Sequence, residues 1–377
     1  MRSAKGYRLF ICVLLTISLC SFCSGLRSVA AVNAAEEARR SESYYTRGYG
    51  REAFPTIFVR NLLDGKYKTF YEAAKREFPV PGLAQGYVPQ GMAYAKEIDC
   101  FFVTSYCAGG GQASQLAVID GETGTRRKTL RLQLTSGVAY QGHAGGVAVW
   151  GDNGWIVSEG RAYHFSVKDV QTANDGGTLR FRDDFSVGQR ADYAFCAQDV
   201  LWIGEYYVDA PQFAALPSHM DAATGNAAWI RGYKLSKKNT RGVTGLHLGE
   251  DPTPSYLLSA PDCVQGMCLT NDGSIVLSAS RTAQGASNAL VFPPLKTLLK
   301  MPAQEKKEIN GNYVPLWALD AKTAQNIALP PMSEGIALRG ERVYFLFESA
   351  ASLYRGRTEL YLDCVFSLAN EQFLITM

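Results

Sequence analysis

"SEGIALRGERVYFLFES" (333–349) places a glutamate against a glycine, runs through an apolar strand, turns at a glycine, and climbs a second apolar strand to a second glutamate. Short apolar runs on either side of a Gly-containing turn are the pattern of a buried antiparallel hairpin. The same pattern returns as "PQGMAYAKEIDCFFVTSY" (89–106), "AGGVAVWGDNGWIVSEG" (144–160), "DYAFCAQDVLWIGEYY" (192–207) and "VQGMCLTNDGSIVLSAS" (264–280). Its anchors are Gly91, Gly146, Ala194, Gly266 and Gly335, spaced by 55, 48, 72 and 69 residues. The shorter spacings suit a unit of four strands, and the longer ones the same unit with insertions. A fixed unit recurring at such a period predicts an all-β chain built as a β-propeller, with blades set radially around a channel. Five blades are expected, with six as the alternative. A two-sheet sandwich gives no reason for a glycine-initiated hairpin to return five times.

Outer strands repeat as well, since "GQASQLAVIDGETG" (111–124) echoes "QGASNALVF" (284–292) and "WALDAKTA" (317–324). The turns "GDNG" (151–154) and "NDG" (271–273) carry residues that tolerate positive φ, and they read as hairpin turns rather than metal loops. One helix is expected, over "KTFYEAAKREF" (68–78), where Phe70, Ala74 and Phe78 fall at helical spacing. A propeller must close its ring, and "FPTIFVR" (54–60) is the strand expected to join the last blade beside "LYLDCVFSL" (360–368).

The chain has 377 residues, 47% hydrophobic and 19% charged, enough for a large core in the ordinary soluble range. Arg2, Lys5 and Arg8 precede fifteen uncharged residues, Leu9–Cys23, in the layout of a secretory leader; a bilayer span needs roughly 20 apolar residues. The expected organisation is a signal peptide over 1–34, an exposed polar linker over 35–53 and the propeller over 54–377. A secreted or extracytoplasmic protein follows, with anchoring by an uncleaved N-terminal helix as the alternative and the only expected link to a membrane. Loss of residues 1–34 removes four basic residues and no acid, so 34 basic side chains then face 35 acidic ones. No basic stripe interleaved with aromatics is present, so no nucleic-acid partner is expected, and the protein is expected to be a monomer. Cys100, Cys107, Cys196, Cys263, Cys268 and Cys364 lie beyond the leader, an even number that permits a disulfide in an exported chain or buried thiols within strands.

Hairpin geometry puts the start of the first strand beside the end of the second. With first strands lining the channel, the units bring one polar ring to its mouth: Gln90, His143, Asp192, Gln265 and Glu334 from strand starts, and Tyr106, Glu159, Glu205, Arg281 and Glu348 from strand ends. Asp192 and Tyr106 apart, eight remain. These eight are the candidate ligand-binding residues, because polar groups converging at a concave mouth are the usual form of a binding site. The bland alternative is a polar channel lining that bonds only water and backbone. Crowded carboxyls raise one another's pKa unless a cation compensates them, and calcium, which takes several oxygen ligands, is a possible one. Zinc-type spacing is absent, there is no G-x-S-x-G elbow, and "CAGGG" (107–111) lacks a phosphate-loop ending. The long stretch 208–228 is a candidate cover for the mouth.

The ordered set "YVPQGMAY", "GHAGGVAVWGDNGWIVS", "LWIGEYY", "AWIRGYKL", "VQGM" and "PPMSEGIAL…LFESA", covering roughly 87–368, resembles a group of secreted bacterial β-propeller proteins without an assigned activity. The resemblance implies export and the propeller fold. The chain is also similar in architecture to gluconolactonase-type propellers, where an acidic centre holds calcium; function carried on fold alone is analogy. The expected function is binding of a polar small molecule or glycan at an acidic channel mouth. The alternative is an extracellular hydrolase, metal-assisted and lactonase-like or glycosidase-like, using the same carboxylates; no particular catalytic residue stands out.

Overall fold

In the computed structural model the stretch read as one helix over 68–78 divides at Ala74. The helix α1 spans Lys68–Ala73, Ala74 is extended with ψ 137°, and Lys75–Pro79 is a strand, β1. Proline disfavours the helical conformation in the residue before it, and Phe78 stands before Pro79. The local 3.6-residue spacing is overridden by a free sheet edge: β1 pairs antiparallel with β23 (Cys364–Ala369), Lys75 opposite Ser367 and Pro79 opposite Cys364. The helix still packs as its spacing implies, with Phe70 wholly buried at ring distances of 6.0 Å from Phe347 and 5.9 Å from Phe366. Burying that ring contributes roughly 1.5–3 kcal/mol.

β1 therefore closes the ring. It is the outermost strand of a sheet whose order is β1, β23, β22 (Arg342–Phe347), β21 (Ser333–Arg339), so the last blade takes one strand from the start of the propeller. The segment 54–60, expected in this role, lies outside the described residues, which are 67–188, 190–210, 216–236, 251–355, 357–358 and 360–374.

The other four blades run outward in chain order. The first is β2 (Tyr87–Ala95), β3 (Cys100–Cys107), β4 (Gln115–Asp120) and β5 (Arg126–Gln133). The second is β6 (Gly146–Trp150), β7 (Asn153–Ser158), β8 (Arg161–Ser166) and, after the short strand β9 (Thr178–Arg180), β10 (Asp183–Ser186). The third is β11 (Tyr193–Ala197), β12 (Val200–Gly204), β13 (Ala228–Lys234) and β14 (Tyr256–Ala260). The fourth is β15 (Val264–Leu269), β16 (Ser274–Ala279), β17 (Ser287–Pro294) and, after the inserted hairpin β18 (Glu305–Ile309) and β19 (Asn312–Ala318), β20 (Gln325–Leu329). The insertions are added to the preceding blade: β9 pairs parallel with β5, and β19 pairs parallel with β14. The protein is thus a five-bladed β-propeller.

The five inner strands pack side by side around the axis in the order β2, β6, β11, β15, β21 and back to β2. The anchor glycines sit where their backbones touch. A Cβ on Gly335 would meet Met92 N at 2.4 Å, and one on Gly146 would meet Ala194 N at 2.4 Å. These are backbone atoms that cannot swing aside, which is the packing reason for the recurring glycine. Buried hydroxyls tie neighbouring blades at the same level: Thr104 donates to Ala144 O at 2.8 Å, and Ser278 and Ser333 share a hydrogen bond of 2.8 Å.

All six cysteines among the described residues are free thiols, with Cys100, Cys268 and Cys364 buried in strands. Of the two sequence alternatives, the buried thiol holds for these three. Among the described residues no helix is long and apolar enough to cross a membrane.

Candidate functional site

Three of the five inner strands enter the channel through an irregularity. The register of β2 against β3 shifts between Pro89 and Met92, that of β15 against β16 between Val264 and Gly266, and that of β21 against β22 between Ser333 and Ile336. Each shift holds one polar residue followed by the anchor glycine: Gln90-Gly91, Gln265-Gly266 and Glu334-Gly335. A bulge bends the strand and re-aims one side chain out of the pleat. Here it brings three polar side chains together. Just before the inner strands of blades two, four and five stand non-glycine residues in the left-handed region: Ala144 at φ 52°, Cys263 at 66° and Met332 at 64°. Backbone strain of this kind gathers at functional sites.

Glu334 and Glu348 meet as the hairpin geometry requires. Their carboxyls hydrogen-bond each other, Gln90 Nε2 donates to Glu348 Oε2 at 2.8 Å, and Gln265 Nε2 donates to Glu334 Oε1 at 3.1 Å. Glu334 is 1% exposed and Glu348 8%. Burial first, then the charge of Glu348 and the bond between them, pushes Glu334 well above the carboxylate range; burial pushes Glu348 up to about 8 against the pull of Gln90 and Glu334. The pair therefore retains a proton at neutral pH, because two anions cannot share so dry a site.

Above the pair opens a cavity of about 780 Å³. Gln90, His143, Glu159, Gln265, Arg281 and Glu348 all line it, so six of the eight expected residues share one space, and Glu334 lies beneath them bonded to Glu348 and Gln265. His143 stacks on Tyr106 with ring centres 4.6 Å apart. The surrounding protein favours its neutral ring, down to about 4, although the ring stands open to channel water, which tempers that preference. Glu159 is a left-handed turn residue, φ 52°, joining β7 to β8 at the rim.

Glu205 is the exception. Blade three has no bulge, and the two-residue alternation past β12 sends Tyr206 to the cavity and Glu205 to the other side, against β13. There it is 1% exposed and accepts from Arg231 Nη1 at 2.5 Å, His219 Nδ1 at 2.8 Å and Trp229 N at 3.1 Å. Burial alone would raise its carboxyl; the His219 bond and the guanidinium of Arg231 outweigh burial and hold it below the ordinary value. It is a structural ion cluster rather than part of the ring. His219 belongs to the stretch expected to cover the mouth, and its ring lies 3.7 Å above Trp229. Val208, Asp209 and Ala210, from the start of that stretch, line the cavity, while 211–215 lie outside the described residues.

Further residues line the cavity besides the eight, among them Asp192, which the ring included. Asp192, which precedes β11, accepts from Tyr206 N at 2.7 Å, and burial pushes its carboxyl up to about 6 against that bond. Tyr354 and Arg357 reach the cavity from the connection between β22 and β23. That connection, 348–363, is long for a blade loop and carries Tyr354, Arg355, Arg357 and Tyr361, a signal available in the sequence. At the opposite end of the axis the same five strands enclose a smaller cavity of about 280 Å³ lined mainly by apolar residues such as Met92, Val147, Phe195, Leu269 and Ile336. The channel is thus polar at one mouth and largely apolar at the other. Among the described residues no group of three or more His, Cys, Asp or Glu converges as a metal site would require.

No model of a known family matches the chain, and no curated relative is found. Similar solved structures include glutaminyl cyclase of Myxococcus xanthus, at 10% identity and TM-score 0.40, covering 78% of this chain and 95% of that one. Others are a protein of Thermus thermophilus described as an oxidoreductase (glucose dehydrogenase), at 11% identity, TM-score 0.36 and coverage of 78% and 99%, and the WD40 β-propeller domain of Doa1, at 7%, 0.36, 78% and 96%. At these identities and scores nothing about activity follows, and the blade count stands on the strand order given above.

Proposed function

We propose that this propeller binds a polar small molecule, glycans included, at the channel mouth above Glu334 and Glu348, and that it does so outside the cytoplasm. The observation that carries the reading is the carboxyl pair, buried beneath an open polar cavity and held by two glutamines that strand bulges turn toward it. A fold that needed only to fill its axis would place apolar side chains there, as it does at the opposite mouth. Burying two carboxyls without a structural cation costs stability, and such costs are typical of sites that bind or react. The extracytoplasmic part rests on the leader pattern of residues 1–34.

A second reading, an extracellular hydrolase, is favoured by one feature. A carboxylic acid bonded to a second carboxyl can hold and return a proton. The glycosidase form fits less well, since acid and base then flank a bond at about 5 Å or more, whereas these two carboxyls bond each other. Water activation on a lactone-like substrate is the form that remains. Calcium would have to displace the retained proton and bind through Glu334, Glu348 and the glutamine oxygens.

The test is a thermal-shift screen of the protein without residues 1–34 against neutral sugars, sugar acids, amino compounds and calcium, repeated on Glu334→Gln. A binder stabilises by mass action, and a hundredfold excess over its Kd adds about 2.7 kcal/mol. Loss of that stabilisation in Glu334→Gln supports the reading; a channel indifferent to the whole panel refutes it.

A further inference from the structure

The carboxyl pair has an unusual set of neighbours. Glu334 and Glu348 are faced by the amides of Gln90 from β2 and Gln265 from β15, and by the phenols of Tyr106 from β3, Tyr206 after β12 and Tyr354 from the β22–β23 connection. Among the described residues no arginine, lysine or histidine acts on either carboxyl. Both side-chain N–H groups of Gln90 are spent, on Pro89 O and on Glu348, which leaves its oxygen as an acceptor. The floor of the mouth is therefore rich in acceptors and has no counter-cation of its own.

The rim is the reverse. Arg281 and Arg357 are exposed, line the same cavity, and make no ion pair or side-chain hydrogen bond among the described residues. Arg190 lines it as well, beside Asp192. Acceptors without a cation below, and above them two arginines outside any ion pair that share the rim with Glu159 and Asp209, suit a molecule that carries both charges.

We propose that the ligand of this mouth is a compact zwitterion: a primary ammonium that seats on Glu334 and Glu348, joined to a carboxylate or phosphate that reaches Arg281 and Arg357. This rests on the reading that the mouth binds a polar small molecule and narrows it to one class. When the ammonium arrives, it replaces the proton shared by the pair, and that proton leaves to solvent; no bond of the ligand is broken. Binding is then coupled to proton release, and affinity rises with pH by about tenfold per unit for one proton displaced, until the ligand's own amine deprotonates.

The experiment titrates the leaderless protein with the ω-amino acids from glycine to 6-aminohexanoate, with O-phosphoethanolamine, and with butylamine, butyrate, glucose and calcium chloride as comparisons. The ω-amino acids vary the distance between charges, and β-alanine against O-phosphoethanolamine separates carboxylate from phosphate. At least one zwitterion should bind ten times more tightly than butylamine or butyrate. Its calorimetric heat should differ between phosphate and Tris buffers because a proton is released, and its affinity should rise about tenfold from pH 6.5 to 7.5. Arg281→Ala, at an exposed position, should lose tenfold or more for the zwitterion and leave butylamine unchanged. Glu334→Gln, its fold checked by circular dichroism, should release fewer protons. Glucose binding with no response to any amine would end the zwitterion and leave the polar-ligand reading standing. Calcium alone stabilising the wild type and not Glu334→Gln would replace it with a metal site, and silence from every probe would bring down both readings.

Discussion

Glu334→Gln tests the physical core of the site without any ligand. In the native state the pair keeps its protons to higher pH than the unfolded chain does, so the native state binds more protons between the two ranges. Its stabilising share is complete below the ordinary glutamate value of 4.5 and is lost as pH rises through about 8. Each unit of such a rise withdraws about 1.4 kcal/mol once pH exceeds both values. The rise of Glu348 alone, from 4.5 to about 8, therefore withdraws at most about 5 kcal/mol, and Glu334, also raised, withdraws stability over the same range. Glutamine at 334 cannot ionise, yet its amide can donate to Glu348 as the protonated acid does. The substitution removes one of two titrating carboxyls and the repulsion between them, and leaves the burial of Glu348. Urea unfolding followed by tryptophan fluorescence at pH 5.5, 7 and 8.5 should show the wild type losing stability across the series. The variant should lose about half as much and be more stable than wild type by about 1–3 kcal/mol at pH 8.5. Parallel pH curves for the two proteins would refute the assignment of a shared, buried proton.

Other outcomes can be checked independently. Gly335→Ala places a Cβ 2.4 Å from Met92 N and 2.9 Å from Gln90 O, so the blades must part; a loss of about 1–3 kcal/mol or more is expected in denaturant unfolding, and an unchanged midpoint would contradict the axial packing. Arg231→Ala leaves buried Glu205 with only His219 and Trp229 N and should cost about 3–5 kcal/mol, while any ligand found at the mouth binds as before, because this cluster faces away from it. In denaturant without reductant, a thiol reagent should count six free cysteines in the leaderless chain; a count of four would mean a disulfide. Phe70→Ala removes a ring packed on Phe347 and Phe366 and should cost about 3–5 kcal/mol, with the loss seen as a lower melting temperature.

Much of the architecture was legible because it is a property of repetition. A glycine followed by an apolar strand, a turn and a second strand, returning five times, is set by local pleat and turn chemistry, and both are written in neighbouring residues. The meeting of Glu334 and Glu348 follows from the same hairpin and needs nothing else. What lay beyond the sequence depended on partners far away along the chain. Lys75–Pro79 has helical spacing behind it and became a strand because β23, nearly 300 positions later, offers an open edge. Glu205 and Glu348 each follow a second strand, yet their side chains part company: one enters the ion cluster of blade three, the other bonds Gln90 at the mouth. The sequence could name a ring of polar residues, since a strand's end is a local matter; which of them share a cavity, and which keep a proton instead of a cation, is decided by desolvation and by the neighbours that five converging blades bring to one axis.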